Sequence, residues 1–186
     1  MKKGFTLIEL LIVIAILGVL AVVVLVALNP VQQLARTRDA GRISAVTQLG
    51  HALEAYATSN NSLYVTENNT FITSLVNAGE ISTVPTSATP TAPASTGKAV
   101  PANCSGAGLG IQTSTGGGAF CYNTANGTTG GPIVVYAALE SAANNQRCSG
   151  TTVAFAAYST EQGRGGIVCL ATYGTVMPTT GLTFLP

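Results

Sequence analysis

The sequence predicts an α+β chain in which a long N-terminal α-helix, membrane-spanning in its first half and amphipathic in its second, packs against a C-terminal antiparallel β-sheet head. Three observations predict it. Leu10–Leu28 is an unbroken run of nineteen apolar or glycine residues. Ile43, Val46, Leu49, Leu53 and Tyr56 then recur at spacings of 3, 3, 4 and 3, which places them on one face of an amphipathic helix. In the C-terminal half, short apolar runs alternate with Gly- and Asn-rich turns, the pattern of short strands joined by tight connections.

The apolar run comes first because it constrains the most. As a helix it reaches roughly 28 Å, close to the hydrocarbon thickness of a bilayer. Lys2 and Lys3 precede it and hold the N-terminus on the cytoplasmic side, so the remainder of the chain faces outward. An ordinary secretory signal has a shorter apolar region and a small-residue cleavage site. Here a cut after Ala27 would put Leu25 where a small residue is required. A plain signal anchor fits the length but leaves Glu9 unexplained. A carboxylate at the mouth of an unbroken apolar helix is costly to insert, and the economical explanation is a partner cation met later.

Lys3-Gly4-Phe5-Thr6-Leu7-Ile8-Glu9, set immediately before the run, closely resembles the class III signal of type IV prepilins and type II secretion pseudopilins. The resemblance implies a type IV pilin-like fold and cleavage between Gly4 and Phe5 by a prepilin peptidase, which would then methylate the new amine of Phe5. It makes residues 1–4 a leader peptide. It assigns Glu9, fifth in the mature chain, to neutralising the N-terminal amine of a neighbouring subunit during assembly. It also marks Gly18 as the position of a helix-loosening glycine. Physics supports the assignment: methylation preserves the charge of an amine, and a buried amine and a buried carboxylate each need a partner. The other partners implied are further copies of the same chain in a helical polymer, an assembly ATPase, an inner-membrane platform, and membrane lipid before assembly. The implied location is the bacterial cytoplasmic membrane, then an extracellular pilus.

Residues 5–29 form the membrane or fibre-core half of the helix and residues 30–58 the amphipathic half. Pro30 lacks an N–H and obstructs the preceding turn, so a kink or break is expected there. The helix is predicted from about Leu7 to Thr58, continuous or gently broken, roughly 75–80 Å long. Arg36, Arg38 and Arg42 follow the apolar segment. Their simplest reading is a solvated helix face; the alternative is contact with lipid headgroups or with acidic groups of adjacent subunits. His51, the single histidine, is read as a surface or packed residue rather than a ligand.

Residues 59–186 form the head. Phe71–Ile81 reads as a short helix closed by Gly79 in a left-handed cap, and residues 85–103, with Pro85, Pro90, Pro93 and Pro101, as an irregular segment. Strands are expected at Leu109–Thr113, Ala119–Asn123, Ile133–Leu139, Val153–Tyr158 and Ile167–Tyr173. They build a sheet of four or five strands that covers the apolar face of the helix. Cys104, Cys121, Cys148 and Cys169 include no C-x-x-C pair and lie far in sequence from His51. That argues against zinc and for disulfides in an exported domain. Of the three pairings, Cys104–Cys121 with Cys148–Cys169 closes sequence-local loops and is favoured.

The chain carries 8 Lys+Arg and 7 Asp+Glu, and only 8% of its 186 residues are charged, against about 25% in ordinary soluble domains. A polarity built from Thr, Ser, Asn and Gly suits the cell exterior, and the near-neutral balance offers no field for nucleic acid. No dinucleotide, nucleophile-elbow, Walker or HExxH motif occurs, and Gly106–Gly110 reads as a turn. No catalytic residue, cofactor or metal site is expected. Asn-x-Ser/Thr triplets at Asn60, Asn68, Asn103 and Asn126 are of the number chance gives in such a composition. The reading is therefore a structural filament subunit. Its alternatives are a type II secretion pseudopilin, a minor or competence pilin that binds DNA and, last, a membrane-tethered enzyme.

Overall fold

The computed structural model describes residues 4–90, 110–113, 119–125, 130–171 and 177–186. The chain divides into two compact units, Met1–Leu34 and Ala35–Pro186.

The first unit is almost entirely helix. α1 runs from Leu7 to Leu28, and no residue from Gly4 to Ala27 is buried. Its 22 residues make a rod of about 33 Å. Gly18 causes no break: α1 runs straight through it, because the roughly 1 kcal/mol by which Gly is a poorer helix former than Ala is too little to interrupt a strongly helical sequence. The break falls at Asn29, which closes α1 in the left-handed conformation (φ 39°, ψ 73°), where Asn is one of the few tolerated side chains. The same residue opens α2, Pro30–Ser59. Its carbonyl accepts the Gln32 and Gln33 amides at 3.0 and 3.4 Å, and Pro30 takes the first helical position, where its missing N–H costs nothing.

The second unit is α+β. α2 lays Val46, Leu49 and Leu53 into the core, with Ile43 and Tyr56 at its margin, the face that the spacing predicts. A short helix, α3 (Phe71–Asn77), adds Phe71, Ile72 and Leu75. It ends as expected at Gly79 (φ 80°), with the Glu80 amide on the Leu75 carbonyl and the Gly79 amide on the Val76 carbonyl, both at 3.0 Å, a paired-bond left-handed cap.

Five strands follow: β1 Gly110–Thr113, β2 Ala119–Thr124, β3 Ile133–Ala138, β4 Thr152–Ser159 and β5 Arg164–Ala171. They form one antiparallel sheet in sequence order. A single-turn helix, α4 (Ala142–Asn145), lies between β3 and β4 where a turn was expected. Phe120, Tyr122, Ile133, Val135, Ala156 and Tyr158 point to the helices. The opposite face is also buried, because Met177, Leu182 and Phe184 of the C-terminal segment cover Val134, Tyr136, Phe155 and Val168. The sequence reading assigned no cover to that face. β5 begins at Arg164, three residues before the expected start, and takes in Gly165 and Gly166. A Cβ at Gly165 would lie 2.9 Å from Thr47 Oγ1 of α2, and one at Gly166 would lie 2.8 Å from the Phe184 ring. The two glycines thus admit close neighbours on opposite faces of the sheet, which is a strand use of glycine rather than a turn use.

Cys148 and Cys169 are joined with Cα atoms 5.5 Å apart, as the sequence favours. Cys104, and with it the expected Cys104–Cys121 pairing, lies outside the described residues.

Gly50 sets how closely α2 meets the sheet. A Cβ there would fall 2.2 Å from Cδ1 and 2.3 Å from Cγ of Tyr158, a ring with almost no exposure and no room to retreat. Gly50→Ala is expected to lower stability by about 1–3 kcal/mol through overpacking, despite alanine's better helix propensity. Gly41 sits on the same helix, exposed and with open space at its Cβ. Gly41→Ala should leave stability unchanged or raise it by up to about 1 kcal/mol. Urea unfolding of the full chain in detergent micelles checks both, and equal midpoints for the two variants would contradict the packing argument.

Candidate functional site

The segment around Gly4–Glu9 is built by helix capping. Thr6 is the N-cap of α1 with an extended backbone (φ −83°, ψ 150°). Its Oγ1 accepts the Glu9 amide at 3.3 Å. In return, Glu9 Oε2 accepts the Thr6 amide at 2.9 Å and the Thr6 hydroxyl at 2.7 Å. This is a capping box, which satisfies two orphan donors of the first turn reciprocally. The Gly4–Phe5 bond therefore lies just outside the helix, and Phe5 is 81% exposed. A protease needs an accessible bond outside regular structure, and this one is exposed and precedes the helix. Among the described residues the only hydrogen-bonded oxygen of Glu9 is Oε2, so the second oxygen can still accept from another group.

The sequence reading gave Glu9 a role between subunits and overlooked its bond within the chain. Thr6 is the residue it missed. The signal was present as Thr6-x-x-Glu9, the Ser/Thr-x-x-Glu pattern of a helix start.

Other candidates resolve differently. The reading of Arg36, Arg38 and Arg42 as a solvated face holds only for Arg36. Arg42 is 2% exposed. It donates to Asp39 Oδ1 at 2.9 Å and to the Ala88 carbonyl at 2.7 Å, and it lies 3.2 Å from Glu140. Arg38 donates to Glu140 as well, and that carboxylate raises the pKa of the guanidinium. Acids that are scattered along the sequence, Asp39 and Glu140, thus meet in space as partners of two arginines from their own chain. No group of three or more metal-ligating side chains occurs among the described residues. His51 is exposed and sits 3.3 Å from the Tyr158 hydroxyl, which also donates to Glu54 at 3.0 Å. Burial, reinforced by the Glu54 carboxylate, pushes the Tyr158 pKa up to about 12. That hydroxyl therefore stays protonated as a donor and supplies no base. Gly106–Leu109 of the glycine-rich run, and the triplets at Asn103 and Asn126, fall outside the described residues.

Residues 1–25 match the family model described as the prokaryotic N-terminal methylation motif. The chain carries a class III signal. That signal is the hallmark of type IV prepilins and pseudopilins, substrates of prepilin peptidase. The long N-terminal helix followed by an antiparallel sheet is the pilin-like α+β arrangement. The signal and the exposed apolar α1 fit anchoring of the chain in a membrane before any assembly. No curated protein and no solved structure matches the chain.

Proposed function

We propose that this chain is a prepilin and a structural subunit: cut between Gly4 and Phe5, methylated at the Phe5 amine, and polymerised through α1 into an extracellular type IV pilus-like filament. One observation carries the reading. The methylation motif leads directly into a helix whose every described side chain as far as Ala27 is exposed. A contiguous apolar surface of that size needs lipid or other copies of itself. Helices that leave the bilayer exchange lipid contact for contact with each other, which leaves the burial of apolar surface nearly balanced. Extraction then depends on an assembly ATPase and a membrane platform. Glu9 and the Phe5 amine of a neighbouring copy supply the register.

The experiment is mass spectrometry of the subunit from sheared cell-surface material, together with electron microscopy. The expected mature chain begins at N-methylated Phe5 and comes from filaments. A chain that retains Met1 and stays in the membrane would overturn the proposal. The second reading, a pseudopilin of a type II secretion system, shares the signal. Short periplasmic assemblies with no surface filament would favour it.

A further inference from the structure

Where α2 ends at Ser59 the chain reverses through Asn60–Ser62, and both Asn61 (φ 54°) and Ser62 (φ 63°) lie in the left-handed region. Adjacent non-glycine residues there carry backbone strain, which folded chains retain where the surroundings hold it and often where a ligand is bound. The turn is fixed by the Ser62 amide on the Ala57 carbonyl at 2.8 Å and the Leu63 amide on the Asn60 carbonyl at 3.0 Å. It bounds an open cavity of about 390 Å³ between the end of α2 and the segment after it.

The walls are of one chemical kind. Tyr56 and Tyr64 contribute half-buried rings and Leu63 an aliphatic side chain that is 48% exposed. Asn60, Asn61 and Thr66 add amide and hydroxyl groups, and among the described residues no charged residue or histidine lines the space. The Asn60 amide nitrogen is held by the Tyr56 carbonyl at 2.9 Å and by Ser59 at 3.2 Å. Within the described residues the side-chain polar atoms of Tyr56, Asn61, Tyr64 and Thr66 have no hydrogen-bond partner and so can serve a ligand. The nearby carboxylate of Glu80 is engaged by Ser59.

Anionic and cationic ligands call for an opposite charge that this lining lacks. Flat aromatic and aliphatic surface beside amide and hydroxyl groups suits a molecule with an apolar C–H face and a rim of neutral hydroxyls, and the size falls within the range of small-molecule sites. We propose that this cavity binds one neutral pyranose unit of a glycan, its C–H face on the tyrosine rings and its hydroxyls on Asn61, Thr66 and the Tyr64 hydroxyl. The site belongs to the head and stands independently of the filament reading; sugar binding by a chain that never polymerised would overturn only the latter.

The test is an NMR titration of the full chain in phosphocholine micelles, using the methyl pyranosides of glucose, galactose and mannose, N-acetylglucosamine and, as an anionic control, sialic acid. At least one neutral sugar should give a saturable shift of the Asn61 and Tyr64 signals, with a Kd of about 1 mM. Asn61→Gly, which also relieves the left-handed backbone, and Tyr64→Phe should each weaken binding by about fivefold. Asn61 is exposed, so its variant reports on binding even if Tyr64→Phe alters the fold. No shift with any neutral sugar, tighter binding of sialic acid, or wild-type affinity in Asn61→Gly overturns the proposal.

Discussion

Asp39→Ala should destabilise the head by about 3–5 kcal/mol, the usual cost of removing one partner from a buried ion pair. Asp39 is fully buried, and its carboxylate is used at both oxygens. Oδ1 accepts from Arg42 at 2.9 Å and from the Glu140 amide at 2.9 Å. Oδ2 accepts the Ser141 amide at 2.9 Å and the Asn144 side chain at 2.8 Å. Truncation therefore does more than break an ion pair. It orphans two buried backbone N–H groups at the β3–α4 corner, each of which costs far more unpaired than a paired bond contributes.

Arg42 would keep Glu140 at 3.2 Å as its remaining carboxylate, shared with Arg38. Asp39→Asn retains shape and one acceptor but turns an NH2 towards donors, so it should fall between Ala and wild type. Arg38, more than a third exposed, is the control: Arg38→Ala should cost no more than about 1 kcal/mol. Urea unfolding of the full chain in micelles, followed by near-ultraviolet tyrosine dichroism, checks the order. An Asp39→Ala midpoint equal to that of Arg38→Ala would show that the cluster is not a staple.

The same cluster marks where sequence reading stops. Arg42 and Asp39 are neighbours on one helix and could be guessed as a pair, but Glu140, Ser141 and Asn144 lie about a hundred positions away. Nothing in composition or period announces such contacts. The apolar face of α2 was legible because a one-sided helix repeats its core residues every third or fourth position. The strands were legible as short apolar runs between turns. The unbroken apolar run of β3, buried along its whole length, does signal a strand covered on both faces, but nothing in that run says which segment supplies the second cover, and the C-terminal residues that do so, Met177, Leu182 and Phe184, follow no period of their own. Gly165 and Gly166 are ambiguous in the sequence: a glycine that admits Phe184 or Thr47 is written with the same letter as one that makes a turn. At the N-terminus the motif is legible in the sequence, while its geometry depends on Thr6, which belongs to the cleavage signal and also caps α1.

That geometry sharpens the test of Glu9. Loss of the side chain in Glu9→Ala removes both the capping box and the charge, so a defect in assembly would not by itself say which matters. Glu9→Gln separates them. Glutamine serves as well as glutamate at the third position of a capping box, so the bonds to Thr6 survive while the charge that would meet a neighbour's amine is gone. Under the pairing proposed above, Glu9→Ala, Glu9→Lys and Glu9→Gln should all insert normally, because α1 from Leu10 onward is untouched and Lys2 and Lys3 still orient it. All three should lower the yield of sheared filaments by an order of magnitude or more. Thr6→Ala does the reverse, breaking the box and sparing the charge, and should therefore be milder than Glu9→Gln. If Glu9→Gln assembles like wild type while Thr6→Ala fails, the carboxylate acts only as a helix cap, and the register of the filament must be set by packing along α1 rather than by an ion pair between subunits.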